Sequence, residues 1–146
     1  MKRIIIDAQK CKGCKNCQIA CMKAHAPDST SISLSDQNLE ARNTILLNSK
    51  KQYKPLFCRH CNNPSCVKSC MSGAMTKDKE TGHVQYDPVK CGACFMCVMS
   101  CPFGVLKPDR ATRTTVIKCD FCKAQGMDPS CVKMCVNKAI RVEEVL

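Results

Sequence analysis

Sixteen of the 146 residues are cysteine, and they fall in four runs of four. The third run, Cys91, Cys94, Cys97 and Cys101, has the spacing C-x2-C-x2-C-x3-C and is followed by Pro102. Thiolates at this spacing suit a cubane iron–sulfur cluster. Three closely spaced thiolates let one tight loop wrap three irons. The fourth lies on the helix that leaves the loop and points away, toward the second cluster of a two-cluster unit. Pro102 then stops the helix and turns the chain. The chemistry on offer is one-electron transfer.

The first run, Cys11, Cys14, Cys17 and Cys21, has the same spacing, with Met22 where the third run has proline. The second, Cys58, Cys61, Cys66 and Cys70, reads C-x2-C-x4-C-x3-C. The fourth, Cys119, Cys122, Cys131 and Cys135, reads C-x2-C-x8-C-x3-C. CVKSCMSGAM at 66–75 and CVKMCVNKAI at 131–140 are near copies, as are CKGCKNCQIAC and CGACFMCVMSC. The order is therefore A-B-A-B. It reads as duplication of a two-cluster unit.

Short elements must hold these loops. Lys2–Ile6 is β-branched and reads as a buried strand ended by Asp7. Gly13 permits the tight turn of the first loop. Gln18–His25 reads as a helix closed by Pro27. Residues 28–44 are polar and free of cysteine, an inserted loop with a short helix near Asn38–Arg42. Strands are expected at Ile45–Asn48 and Gln52–Phe57, turning at Lys50 and Lys51. Pro64 starts a helix that carries Cys66 and Cys70. Ala74–Lys77 and His83–Tyr86 flank DKETG as a β-hairpin. Val105–Leu106 and Thr114–Ile117 make a second hairpin, and Ala139–Val142 a last strand.

At 146 residues the chain is one compact unit, or two small ones packed together. It has no Trp, four Phe and two Tyr, so its oily core is thin. A chain this small needs staples, and clusters would serve as staples and core together. Without metal it is expected to be largely unfolded. So many cysteines fit either a disulfide-stapled secreted domain or an intracellular metal protein. MKRIIIDAQKC has no apolar signal core or cleavage site, and no stretch is apolar enough to span a membrane. The expectation is a reducing cytoplasm, no direct membrane insertion, and metal ligation. The formal charge of +11 invites a nucleic-acid reading, but aromatic residues for base stacking are lacking. Four clusters at about −2 each would also leave only about +3 of that +11. The basic residues then compensate cluster charge and offer a docking surface.

Structural zinc and disulfides compete with clusters for the thiols. Zinc sites use C-x2-C pairs and need no third cysteine close by. The second and fourth runs alone would fit zinc; the first and third do not. His25, His60 and His83 read as ordinary surface or loop residues, although His60, inside CRHC at 58–61, is placed to hydrogen-bond a cluster sulfur. Met22, Met71, Met75, Met96, Met99 and Met134 flank the ligands and read as packing around them. Lys12, Lys15, Lys68 and Lys133 read as solvated charges. The chain has no phosphate loop, nucleophile elbow or paired carboxylates, so no catalytic residue is assigned and a non-catalytic subunit is expected.

On these motifs the chain resembles the four-cluster, ferredoxin-type electron-transfer subunits of anaerobic oxidoreductases. The run ending in Pro102 is the bacterial ferredoxin pattern. The opening MKRIII, CKGCKNCQIACMKAH and CRHCNNPSCVKSCMSGAM most resemble the ferredoxin-like iron–sulfur subunit associated with carbon monoxide dehydrogenase. The resemblance implies an α+β, duplicated bacterial-ferredoxin-like fold of two pseudo-symmetric two-cluster subdomains, built from short β-hairpins and short helices. One would comprise 1–57 and 109–146, the first and fourth runs with the 28–44 insertion. The other would be 58–108, the second and third runs.

It further implies four [4Fe–4S] clusters, each taking three thiolates from one run and the last cysteine of its partner run. The sets are Cys11, Cys14, Cys17 with Cys135; Cys119, Cys122, Cys131 with Cys21; Cys58, Cys61, Cys66 with Cys101; and Cys91, Cys94, Cys97 with Cys70. Cys21, Cys70 and Cys135 are followed by Met22, Met71 and Val136 where the family pattern has proline, a departure in turn geometry. The implied role is a relay of low-potential electrons. The donor would be carbon monoxide dehydrogenase, and the acceptor a flavin-dependent nicotinamide oxidoreductase or a hydrogenase. Alternatives are the same relay for a formate dehydrogenase, a hydrogenase or a tungsten or molybdenum oxidoreductase. A zinc-stabilised nucleic-acid-binding module is the reading from a different class.

Overall fold

The computed structural model describes residues 1–26 and 40–145. Strand β1 (Lys2–Ile6) runs antiparallel to β8 (Ile140–Glu144), with Ile4 opposite Val142 and Ile6 opposite Ile140. The two ends of the chain are thus one ribbon, closed by Val145 N–H donating to the Met1 carbonyl at 2.7 Å. Three hairpins follow in order: β2 (Thr44–Leu47) with β3 (Tyr53–Leu56), β4 (Met75–Lys77) with β5 (Val84–Tyr86), and β6 (Lys107–Pro108) with β7 (Val116–Ile117). Each of these sheets has only two strands. Such ribbons are marginal alone and depend on what they pack against.

Four short helices carry cysteines: α1 (Asn16–His25), α2 (Ser65–Lys68), α3 (Met96–Ser100) and α4 (Ser130–Lys133). A helix of four or five residues does not persist in water unaided. Packing supplies the rest: α1 lies on α4, and α2 on α3. The buried side chains gather accordingly. Ile4, Cys17, Phe57, Phe121, Cys131 and Ile140 form one group, with Cys135 against it. Met75, Val84, Cys97, Leu106 and Val116 form another, with Cys66, Cys70, Cys91 and Cys101 against it. Thiol side chains are part of both cores. Among the described residues, no helix is long and apolar enough to cross a membrane.

The sequence expectations need several corrections. Val105 and Leu106 are buried but lie before the strand, which is Lys107–Pro108. Helix α2 ends at Lys68, so Cys70 sits beyond it, where the Cys70 N–H turns back to the Val67 carbonyl. The helix expected near Asn38–Arg42, Pro27 and most of the 28–44 insertion lie outside the described residues; Glu40–Arg42 are not helical. Of the six methionines beside ligands, only Met22 and Met75 are buried. Met71, Met96, Met99 and Met134 are exposed: Met71 and Met134 follow α2 and α4, and Met96 and Met99 lie on the open side of α3.

Candidate metal centre

The ligand loops repeat an unusual backbone. In the first run Gly13 and Lys15 have φ of 72° and 62°; in the third, Ala93 and Phe95 occupy the same places with φ of 55° and 56°. Lys15 and Phe95 are the residues that cap α1 and α3. Left-handed backbone at a residue with a Cβ costs about 1–2 kcal/mol. It curls the chain so that successive thiols face one side. In the second and fourth runs His60 and Phe121 are equivalent, with φ of 43° and 57°, and Pro64 and Pro129 cap α2 and α4.

Cys11, Cys14 and Cys17 line one cavity together with Cys135, against Phe57 and Ile140. Cys58, Cys61 and Cys66 line another with Cys101, against His60, Val84 and Leu106. The other thiols are read from their mutual repulsion. Burial, and then Cys119, Cys21 and Cys122, push the Cys131 thiol up. Burial, and then Cys70 and Cys91, push Cys97 up. Burial and neighbouring Cys14, Cys11 and Cys135 raise Cys17 to about 12. None of the sixteen cysteines is paired in a disulfide. Ionising several thiols this close is costly until a cation lies among them, and metal binding releases those protons.

Backbone N–H groups already point at some sulfurs. Arg42 donates to Cys21 Sγ at 3.3 Å, Phe121 to Cys119 Sγ at 3.4 Å and Ala139 to Cys135 Sγ at 3.3 Å. Such bonds favour the thiolate and tune a cluster's potential.

The histidines are not the surface residues that their sequence context suggests. His60 and His83 are 2% and 4% exposed. His83 stacks on Phe121 at 4.4 Å between centroids and leans on His60 at 4.7 Å. The His60 Nδ1 accepts the Val84 N–H at 3.0 Å, so its proton is on Nε2, which has no protein acceptor. Burial, and then repulsion from Lys118 and His83, hold His60 down to about 2. His25 on α1 behaves oppositely. Its nitrogens face the Cys21 carbonyl at 2.8 Å and Asp120 Oδ1 at 3.0 Å, both acceptors, so both nitrogens donate and the ring is a cation. Burial opposes that charge, but Asp120 and Cys21 outweigh it and raise His25 to about 10.

Lys118 escaped the reading of sequence. It is 3% exposed, and its Nζ donates to the Val84 carbonyl at 2.8 Å and the Cys119 carbonyl at 2.7 Å. Aligning the two B runs would have exposed it: FCRHC at 57–61 against KCDFC at 118–122 puts Lys118 where the first copy has Phe57. Tyr53 was also missed. Its ring lies against Gly13, where a Cβ would strike it.

The residues present fit an iron–sulfur group. Each of the two cavities is lined by four thiols from two distant runs, and the second borders on His60, whose Nε2–H lacks an acceptor that a cluster sulfur would provide.

Residues 49–145 match the family described as the 4Fe-4S dicluster domain. The Escherichia coli electron transport protein HydN is 30% identical over 151 residues, covering 94% of this chain and 85% of HydN. The Escherichia coli oxidoreductase AegA is 33% identical over 145 residues, but the chain spans only 21% of its length. In the active-site complex BamBC of benzoyl coenzyme A reductase with 1,5-dienoyl-CoA, one chain superposes with a TM-score of 0.56 and 27% identity, over 100% of this chain and 78% of that one.

Proposed function

Because the chain belongs to the 4Fe-4S dicluster domain family and its sixteen cysteines serve four [4Fe–4S] clusters, we propose that it is a non-catalytic relay, passing electrons between a catalytic subunit and an acceptor oxidoreductase. The clusters supply reversible one-electron chemistry at potentials set by their surroundings. The chain supplies the thiolates, the sulfur-directed N–H groups and the burial that keeps water out.

The ligand sets in this reading are crossed. Cys11, Cys14 and Cys17 work with Cys135; Cys119, Cys122 and Cys131 with Cys21; Cys58, Cys61 and Cys66 with Cys101; Cys91, Cys94 and Cys97 with Cys70. The observation that carries it is the pair of cavities, each lined by three thiols of one run and the last thiol of another. Two subdomains follow, 1–57 with 109–146 and 58–108, related as duplicated ferredoxin-like halves. Support comes from α1 packing on α4, from α2 packing on α3, and from the cysteines of the two cores, those of the first and fourth runs in one and those of the second and third in the other, with Val116 from beyond residue 108 joining the second.

The test is Cys135→Ser. It is expected to damage the cluster of Cys11, Cys14 and Cys17 and to spare that of Cys119, Cys122 and Cys131. Site-resolved Mössbauer or EPR spectra showing the reverse would make the quartets contiguous and end the crossed reading.

The likeness of the opening CKGCKNCQIACMKAH narrows the donor in this proposal to a carbon monoxide dehydrogenase, with a flavin-dependent oxidoreductase or hydrogenase as acceptor. Similarity to chains of other oxidoreductases favours the second form, the same relay beside a different catalytic subunit. Anaerobic co-purification separates them: carbon monoxide oxidation in the recovered complex supports the first, and formate or aldehyde oxidation the second.

A further inference from the structure

Lys118 stands between two of the proposed ligand sets. Its Nζ is 3.7 Å from Cys58 Sγ on one side and bonds the carbonyl of Cys119 on the other. Its third contact, the Val84 carbonyl, ties it to β5. These acceptors are two carbonyls and a sulfur, none of them a carboxylate. An ammonium buried to this depth costs several kcal/mol unless negative charge lies near. Thiolates of Cys58 and Cys119, with the groups they hold, are negative charge of that kind. Lys118 is thus in contact with one residue of each set, through the sulfur of Cys58 and the carbonyl of Cys119.

Packing does not demand a lysine. The equivalent residue of the second run, Phe57, is just as buried at 3% and belongs to the apolar core. The difference between the copies is a positive charge, placed where the two halves meet.

We propose that Lys118 is the electrostatic bridge of the relay: its buried ammonium stabilises an added electron on the set of Cys58, Cys61, Cys66 and Cys101 and on the set of Cys119, Cys122, Cys131 and Cys21, so that electrons cross between the halves at Cys58 and Cys119. The proposal rests on the cluster reading above. In the crossing one set is oxidised by one electron and the other reduced by one, and no proton need move. A fixed charge a few ångströms from both, in a poorly solvated interior, is felt far more strongly than one at the surface. Lys118 touches a ligand sulfur but holds no iron. Its role is to set two potentials together.

The experiment is an EPR-monitored redox titration of the anaerobically purified holoprotein as wild type, Lys118→Met and Lys118→Arg, with iron counted in each. In K118M two of the four midpoint potentials are expected to fall. Each fall should correspond to at least a tenfold loss in the reduction equilibrium constant, 59 mV for one electron, while the other two hold. K118R, which keeps the charge, should restore both. Four unmoved potentials, or four that move by the same amount, would overturn the bridge while leaving the clusters in place. If K118M fails to hold iron, K118R decides. Full iron at wild-type potentials supports the charge, and iron loss in K118R as well makes the role structural and overturns it. Fewer than four reducible centres in the wild type would instead bring down the cluster reading itself.

Discussion

At the scale of single residues, the buried side chains beside the thiols set the pH response. His83 donates Nε2–H to the Lys2 carbonyl at 2.8 Å, and its Nδ1 has no partner. Burial, and then Lys118 and the Met1 amine, hold it below the ordinary imidazole range, against the Lys2 carbonyl and Asp78. A histidine depressed in the folded state binds its proton more readily when unfolded. Stability is therefore full above about pH 6.5 and falls as pH drops below it. His60 acts with the same sign. His83→Phe keeps the stack on Phe121 but removes one titrating group. Anaerobic melting between pH 5 and 8 should show a shallower loss toward acid in H83F than in wild type, by up to roughly 1 kcal/mol per pH unit. Parallel curves would mean that folding does not shift the proton affinity of His83. Three ordinary-looking positions in the sequence, at 60, 83 and 121, meet in one buried cluster, and no local pattern announces it.

Elements here are too short to stand alone, so each one's position is fixed by what leans on it. The β2–β3 hairpin shows this. Tyr53, half exposed on β3, lays its ring where a Gly13 side chain would be, clamping the first ligand loop. Gly13→Ala should therefore cost in two ways. Left-handed φ is strained with a Cβ, by about 1–2 kcal/mol, and the new methyl group meets the ring. In a double-mutant cycle with Tyr53→Ala, only the second cost should be relieved. Unfolding midpoints and iron-release rates of the four proteins measure this. Equal effects of G13A with and without Tyr53 would show that the hairpin does not clamp the loop. The hairpin itself was legible from two short apolar stretches around Lys50 and Lys51; its contact with the loop was not, because 39 intervening residues say nothing about where it folds back.

Across the whole molecule, thiols occupy places where larger domains have aliphatic side chains. Both cores include cysteine sulfurs, and among the described residues the largest fully buried side chain is Phe121. Removal of the metal should leave thiols that repel as they ionise around empty space, with, among the described residues, four two-stranded ribbons to resist it. Chelation of iron under mild oxidation is expected to unfold the chain, seen as loss of far-ultraviolet dichroism and gain of protease sensitivity. A metal-free chain that keeps a sharp melting transition would show that the side chains suffice.

The sequence alone determined the chemistry and most of the elements, because both are local. Cysteine spacing within a run is a property of a few residues, and so are the Ile-rich β1, the turn at DKETG and the proline cap of α2. Tertiary structure decided which runs meet, since that depends on β1 pairing with β8 across the length of the chain and on α1 finding α4. It also decided burial. Met71 and Met75 lie four residues apart, one 92% and the other 2% exposed. Lys118 looks like a surface charge in the sequence; only the meeting of β5 with the second and fourth runs encloses it, because a long side chain is buried by its neighbours in space and not by its neighbours in the chain.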